Sequence, residues 1–458
     1  MPDDVADAGT QCARKRMETG MVLQQLRRDI GRTEPSFGGL VVEAPHTFRV
    51  HTRAYTDPSV FQAEMKLVFE RTWVFVAHTS ELPNPGDYKT SYIGMQPVIV
   101  TRDDNGNISV LVNRCVHRGA VLCREMHGNA RQFECPYHGW VYQNDGKLVG
   151  LTHAREKGGY SEHFKKPEGL FKLPRVETYR GLIFASFKPD VPPLQKHLGR
   201  AKTLFDRRMN LSTSGEIVFR SKPFVARYKG NWKFQSENIV DDYHFVFTHG
   251  AFIDLQGKYG DSTGNFGLHP GGSASEMRKA RYRGSVWGCD QGHGILDAPA
   301  ANLDNFLNGP FAGHYQLLHE KHGADEFAWI VGRGIASIFP TMGTIHQQIR
   351  VWRPLAPDLT EVMIYPYELK DAPAALNQGM LHSQERFYGP SGHGMPDDVE
   401  MFASNQQGLN GDAVEWLILE RGVDTDTRVE EGDYHGQPSS EACQRSFWRQ
   451  WDRLMNAQ

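Results

Sequence analysis

The chain is 458 residues long, with 51 Lys and Arg against 54 Asp and Glu, a formal net charge of −3 and 6 cysteines. At roughly 100 to 200 residues per domain this length implies two or three domains; the balanced charge without a basic run speaks against nucleic acid, and no apolar stretch approaches the roughly 20 residues of a membrane span. The cysteines are too few for a disulfide framework, so free or ligating thiols in a reducing cytoplasm are expected, and the clusters Arg14-Lys15-Arg16 and Arg27-Arg28-Asp29 lack the apolar core of a secretory signal.

Residues 1–50 have weak periodicity, which predicts a short helix over 21–32 and otherwise a mobile arm. Within 51–85, Asp57 suits an N-cap and Pro58 the first helical position. Val60, Phe61, Met65, Val68 and Phe69 then recur on one face, predicting an amphipathic helix that leads to Trp73. From about Leu82 the period changes to that of strands. Residues 98–101 and 108–112 flank Asn105-Gly106, and 141–142 and 148–149 flank Asp145-Gly146, both hairpin signals. Residues 182–187 close a small antiparallel unit over 86–190.

These strands bracket Cys115-Val116-His117 and, after seventeen intervening positions, Cys135-Pro136-Tyr137-His138. One thiolate and one imidazole in each half make the donor set of a Rieske [2Fe-2S] centre, where one iron takes two cysteinates and the other two histidines. Cys115 and Cys135 would hold one iron, and His117 and His138 the other. Gly119 and Gly139 let each loop turn closely around the sulfurs. Zinc accepts the same residue types but usually groups Cys with Cys and His with His. Cys12, Cys123, Cys289 and Cys443 remain as free thiols.

Pro189-Asp190-Val191-Pro192-Pro193 reads as a linker to a second unit over 191–458. Strand signals at 216–219, 345–352 and 362–367 alternate there with helical segments near 194–209, 232–249 and 398–420. Residues 258–312, rich in Gly, Ser, Asn and Ala, read as a long loop, either a lid or a surface insertion. The fold class is α+β: a small all-β domain carrying the cluster motif, and a larger domain with an antiparallel sheet flanked by helices.

The segment 237–249 offers His244 and His249 beside Asp241 and Asp242. On a helix Asn238, Asp241 and His244 share a face, but His249 lies about 140° from His244. Joint binding of one metal therefore requires a distortion or a helix that ends between them. A non-haem Fe(II) site also needs a carboxylate, and Asp397-Asp398-Val399-Glu400 supplies two. The capping-box spacing of Asp397 and Glu400 spends Asp397 on the helix end and leaves Asp398 to project from the first turn; otherwise both carboxylates serve only the helix N-terminus.

Taken together, these motifs resemble the catalytic α subunits of Rieske non-haem iron aromatic ring-hydroxylating dioxygenases over nearly the whole chain. Asn238, Asp241, Tyr243 and His244, with Asp397-Asp398 followed by Gln406-Gln407-Gly408, look most like the branch acting on benzoate, anthranilate or salicylate. The resemblance implies that His244, His249 and Asp398 ligate a mononuclear Fe(II). It makes Asp241 a bridge from His138 of a neighbouring subunit to His244. It further implies a head-to-tail trimer of α subunits, with or without three small β subunits, and electrons from a separate NAD(P)H-dependent reductase, with or without a ferredoxin, since no dinucleotide motif is present. The expected reaction is O2-dependent hydroxylation, foremost cis-dihydroxylation, of an aromatic, carboxylated substrate; monohydroxylation and demethylation occur on the same scaffold, and a ferredoxin-type carrier would need only the first unit.

By motif position Val240, Asp242 and Phe245, with Asn238, flank the substrate pocket. Asp242 departs from the family, where a small residue stands, and would either repel an acid or point to solvent. Arg333, Arg350 and Arg353 lie on expected strands and are candidates to pair with a substrate carboxylate.

Overall fold

The computed structural model describes residues 37–156, 158–220, 222–259, 284–390, 392–429 and 432–457. The helix expected over 21–32 and Cys12 lie outside them. Residues 41–51, read from sequence as part of an arm, form a hairpin of Val41–Ala44 and Thr47–His51, joined at its edge by Trp416–Ile418. Phe48 and Val50 alternate into the core, which fixes the register.

Helix α1 (Pro58–Glu64) follows as expected, with the Asp57 carboxylate accepting from the Ser59 N–H at 2.8 Å and Pro58 in the first turn. It widens into a π turn over Met65–Phe69. At its end Glu64 is fully buried, yet satisfied: it accepts from Lys233 Nζ at 2.6 Å, Trp451 Nε1 at 2.7 Å and Trp232 Nε1 at 2.9 Å. A buried charge is tolerable only with such partners.

The small domain is built from β1 (Asp87–Ile93), β2 (Gln96–Arg102) and β3 (Ile108–Val112), then β4 (Val141–Gln143) and β5 (Leu148–Gly150) in a second sheet. Both expected hairpins form, β2–β3 across Gly106 and β4–β5 across Gly146, each glycine at positive φ. Leu182–Ser186 does not close this unit. All five of its residues are buried, and it lies between Arg175–Tyr179 and Val74–His78 in a separate sheet. The linker is pinned there, since the Pro192 carbonyl accepts from Trp73 Nε1 at 2.7 Å.

The large domain contains β6 (Phe224–Lys229), α2 (Lys233–Asn238), α3 (Phe245–Thr248), α4 (Gly250–Tyr259), β7 (Ser285–Gly288), β8 (Gly294–Ala298), β9 (Arg333–Ile338), β10 (Met342–Ile345), β11 (Gln348–Ala356), β12 (Leu359–Pro366), α5 (Ala374–Tyr388), α6 (Met395–Leu409), β13 (Thr427–Arg428), β14 (Tyr434–Gly436) and α7 (Ala442–Met455). Nine of these strands form one antiparallel sheet in the order β6-β12-β11-β10-β9-β8-β7-β14-β13. Four readings are corrected. The strand expected over 345–352 is two strands, turned at His346 with φ +52°. The helix expected over 194–209 breaks at Gly199 with φ +47°. The helix expected to reach 420 stops at Leu409. Within the expected loop 258–312, residues 260–283 lie outside the described ones, but 285–298 supply β7 and β8.

Strand alternation divides the large sheet. Ala336, Ile338, Met342 and Ile349 pack on one side with Leu204, Phe205, Leu318 and Phe327. Ile335, Ile345, Trp352, Val362 and Ile364 belong to the other core, with α2 and α7. Gly343 allows that approach, because a Cβ there would lie 2.4 Å from Ile239 Cδ1. Trp352 Nε1 donates to Ser236 Oγ at 3.1 Å. No helix among the described residues is long and apolar enough to cross a membrane.

Glu237, on α2, accepts from Trp448 Nε1 at 2.6 Å and Tyr55 Oη at 2.8 Å. Burial outweighs these bonds and pushes its carboxyl up to about 7. An acid whose folded pKa exceeds its unfolded value favours the native state while protonated. Its contribution is therefore full at low pH and falls as pH rises from about 4.5 to 7, by about 2 kcal/mol once partial exposure is allowed for. Glu237→Gln should flatten the stability profile across that window, measured as urea midpoints from pH 4.5 to 8; an unchanged slope removes Glu237 as its cause.

Candidate metal centres

The two Cys/His loops have the same backbone construction. Cys115 N–H donates to the Ala120 carbonyl at 2.8 Å and Gly119 N–H to the Cys115 carbonyl at 2.9 Å; Cys135 with Trp140, and Gly139 with Cys135, repeat both distances. Gly119 and Gly139 occupy positive φ, and a Cβ on Gly139 would lie 2.7 Å from Thr152 Oγ1. Both thiols are buried. The rings of His117 and His138 are 4.5 Å apart between centroids, and His117 stacks on Trp140 at 4.7 Å.

His117 Nδ1 is buried without a hydrogen-bond partner among the described residues. Two buried thiols and an imidazole nitrogen left unspent fit a Rieske cluster. Tyr142 Oη lies 3.1 Å from Cys115 Sγ, the kind of sulfur contact that tunes a cluster potential. Tyr137, beside His138, is exposed, so this edge of the domain faces outward.

The second constellation depends on a broken helix. α2 ends at Asn238 because the Asp241 carboxylate takes the N–H groups of Tyr243 at 3.1 Å and His244 at 3.2 Å, starting a new turn. Asn238, Asp241 and His244 are therefore not successive positions of one helix face. His244 precedes α3 and His249 follows it, which brings their ring centroids within 5.5 Å. His244 Nδ1 contacts the Asp241 main-chain carbonyl at 2.7 Å, with the Asp241 carboxylate at 3.8 Å. Its tautomer is thus held by the backbone of Asp241, and Nε2 points inward.

α6 carries both candidate carboxylates in its first turn, where neither caps it. Asp397 is not an N-cap: its Oδ2 meets His249 Nδ1 at 3.2 Å. Asp398 Oδ1 lies 3.2 Å from His249 Nε2 and 3.5 Å from His244 Nε2. One donor atom each from His244, His249 and Asp398 falls within 4.8 Å of the others, a set that can hold a metal ion. The Asn238 amide nitrogen is 3.2 Å from both His244 Nε2 and Asp398 Oδ1.

Burial opposes charge on His244, but Asp241 and Asp398 outweigh it and raise the imidazole to about 10. Asp398, despite its burial, is held well below the usual carboxylate range by His244 and His249. A divalent cation and a proton would compete for the same lone pairs, so the affinity of this set for a metal would rise with pH.

Of the other candidates, Phe245 lies against His249 at 5.4 Å, while Val240 packs over β8, where a Cβ on Gly294 would be 2.9 Å from it. Asp242 neither faces solvent nor stands as an unpaired charge: it is buried and paired in parallel with Arg333, Nη1 to Oδ1 at 2.7 Å and Nη2 to Oδ2 at 3.1 Å. Arg353 lies 3.7 Å from Glu361 and over the Tyr92 ring. Sequence reasoning missed Asp397 as the partner of His249 and missed Phe387, whose ring is 5.0 Å from His249; the apolar pattern of 374–388 was the available signal for the latter.

Residues 72–178 match the Rieske [2Fe-2S] domain, and residues 218–457 match the ring hydroxylating alpha subunit catalytic domain. The chain is 35% identical over 383 residues to the 2-halobenzoate 1,2-dioxygenase large subunit of Burkholderia cepacia, covering 82% of this chain and 80% of that subunit. It is 31% identical over 392 residues to the anthranilate 1,2-dioxygenase large subunit of Acinetobacter baylyi, covering 82% and 80%. A solved naphthalene 1,2-dioxygenase with indole in its active site superposes with a TM-score of 0.79 at 27% identity, over 92% of this chain and 94% of that one. With a cluster domain and a catalytic domain of this kind in one polypeptide, the chain belongs to the α subunits of the Rieske non-haem iron ring-hydroxylating oxygenases, enzymes that carry a [2Fe-2S] cluster and a mononuclear iron.

Proposed function

We propose that this α subunit hydroxylates the ring of an aromatic carboxylic acid, foremost by cis-dihydroxylation. Cys115, His117, Cys135 and His138 would hold the cluster, and His244, His249 and Asp398 the iron. The observation that carries this reading is the meeting of the last three donors within 4.8 Å, on the same chain as the Cys/His quartet. A simple electron carrier would have no use for that triad. The substrate class is supported by relatives named for 2-halobenzoate, anthranilate and toluate, and by the pairing of Asp242 with Arg333, which removes the charge that would repel an acid.

Within the site the Asp241 carbonyl and the Asp397 carboxylate hold the Nδ1 sides of the two histidines, leaving each Nε2 to the metal. Asp398 supplies the one anionic donor. When bound, the cluster delivers single electrons and the mononuclear iron activates O2. Electrons would arrive from an NAD(P)H-dependent reductase, directly or through a ferredoxin, and cross between subunits from His138 of one to Asp241 and His244 of the next in an α3 ring, alone or as α3β3. The side chains of Asp241 and His244 each remain 21% exposed, as a path through a subunit contact requires.

The test is metal analysis and O2 consumption of the purified holoenzyme with a generic reductase and a panel of benzoate, anthranilate, salicylate and toluates. The reading expects one cluster plus one further iron per chain, and O2 uptake coupled to a ring-hydroxylated product. Cluster iron alone, or zinc at the quartet, overturns it.

A further inference from the structure

The sheet face that fronts the triad carries polar groups to which the mechanism above gives no role. Arg350, on β11, is 2% exposed, and its Nε and Nη2 have no hydrogen-bond partner among the described residues. Those two nitrogens form one edge of the guanidinium, with parallel N–H bonds spaced to meet both oxygens of a carboxylate. Its neighbour on the same face, Gln348, is fully buried with both amide atoms unpartnered among the described residues. Gln384 on α5, also buried, leaves its Oε1 in the same condition one helical turn before Tyr388, and the Arg350 guanidinium lies 4.8 Å from the Tyr388 ring. Buried polar groups are normally satisfied, and a buried cation above all. Two such groups on one strand face, and a third on the helix whose Tyr388 ring meets Arg350, mark a place for a polar partner from outside.

That place adjoins the metal site. Tyr388 follows Phe387, whose ring touches His249, and Asp398, with Tyr388 and Tyr228, is among the groups that act electrostatically on Arg350. Asp398 itself is engaged by His244, His249 and Asn238. The other two arginines singled out in the sequence are taken, Arg333 by Asp242 and Arg353 by Glu361.

We propose that Arg350, flanked by Gln348 and Gln384, anchors the carboxylate of the aromatic acid and holds its ring along Tyr388 and Phe387 beside the triad. This rests on the substrate class proposed above and assigns the residue that selects it. A guanidinium edge reads two coplanar oxygens, which a lysine point charge does not.

The experiment measures equilibrium binding of benzoate and of benzamide, its uncharged counterpart, to the holoenzyme by calorimetry, with Rieske absorbance and iron content as folding controls. Wild type should prefer benzoate. Arg350→Gln should lower the benzoate-to-benzamide selectivity about 100-fold, and Arg350→Lys should restore part of it. Gln348→Glu gives Arg350 an internal carboxylate, so it should fold even if Arg350→Gln does not, and should lose selectivity similarly. Selectivity unchanged in Gln348→Glu or in folded Arg350→Gln overturns the anchor and leaves the oxygenase reading intact. A wild type that neither binds nor oxidises benzoate, anthranilate or toluate overturns the substrate class, and the anchor with it.

Discussion

Asp398→Ala is expected to strip the mononuclear iron while leaving the visible spectrum of the cluster unchanged, and to lower substrate oxidation by at least about a thousandfold. Asp398 Oδ1 is the atom on which His244 Nε2 and His249 Nε2 converge, at 3.5 and 3.2 Å. Without it two imidazoles and the Asn238 amide remain, a set with no anion to balance a divalent ion. Asp397 cannot take over, because its carboxylate lies on the Nδ1 side of His249. Iron assayed by chelation against cluster absorbance gives the answer directly, and a full complement of iron in the variant would remove Asp398 from the ligand set.

For Asp241→Ala the expectation is different: both metal centres are kept and turnover falls about a hundredfold or more. The distinction follows from which atom of Asp241 does what. His244 Nδ1 contacts the main-chain carbonyl at 2.7 Å, which alanine retains, while the carboxylate is 3.8 Å away and bonds to the N–H groups of Tyr243 and His244. Removing the side chain should spare the tautomer and the ligand, yet take away the bridging group. Stopped-flow oxidation of the reduced cluster on mixing with substrate and O2 should slow to the same extent as turnover. Wild-type transfer rates would refute the bridge, and loss of iron would make the carboxylate a structural brace.

The features legible in the sequence are those set by neighbours along the chain. Asn105-Gly106 and Asp145-Gly146 specify hairpins through local backbone preference, Asp57-Pro58 starts α1, and the Cys/His loops repeat one short construction. What escaped depends on distant partners. The edge strand Trp416–Ile418 exists because Thr47–His51 offers it hydrogen bonds, and nothing around residue 416 announces this. His346 turns the chain between β10 and β11 without the glycine or asparagine that would advertise a turn. At the site, the residue types were readable and their division of labour was not. The capping-box spacing assigned Asp397 to the helix end, whereas a histidine between α3 and α4 claims it; Asp242 looked like a lone charge until β9 supplied Arg333.

The Glu64 carboxylate grips Lys233 and Trp232 at the root of α2 and Trp451 near the last turn of the polypeptide. Glu64 and α7, far apart in sequence, thus close like a clasp over the segment that leads to His244 and His249. During synthesis the clasp cannot shut until α7 has left the ribosome, so the segment carrying His244 and His249 settles only once that helix arrives, whereas the two Cys/His loops, complete by about residue 150, are available much earlier.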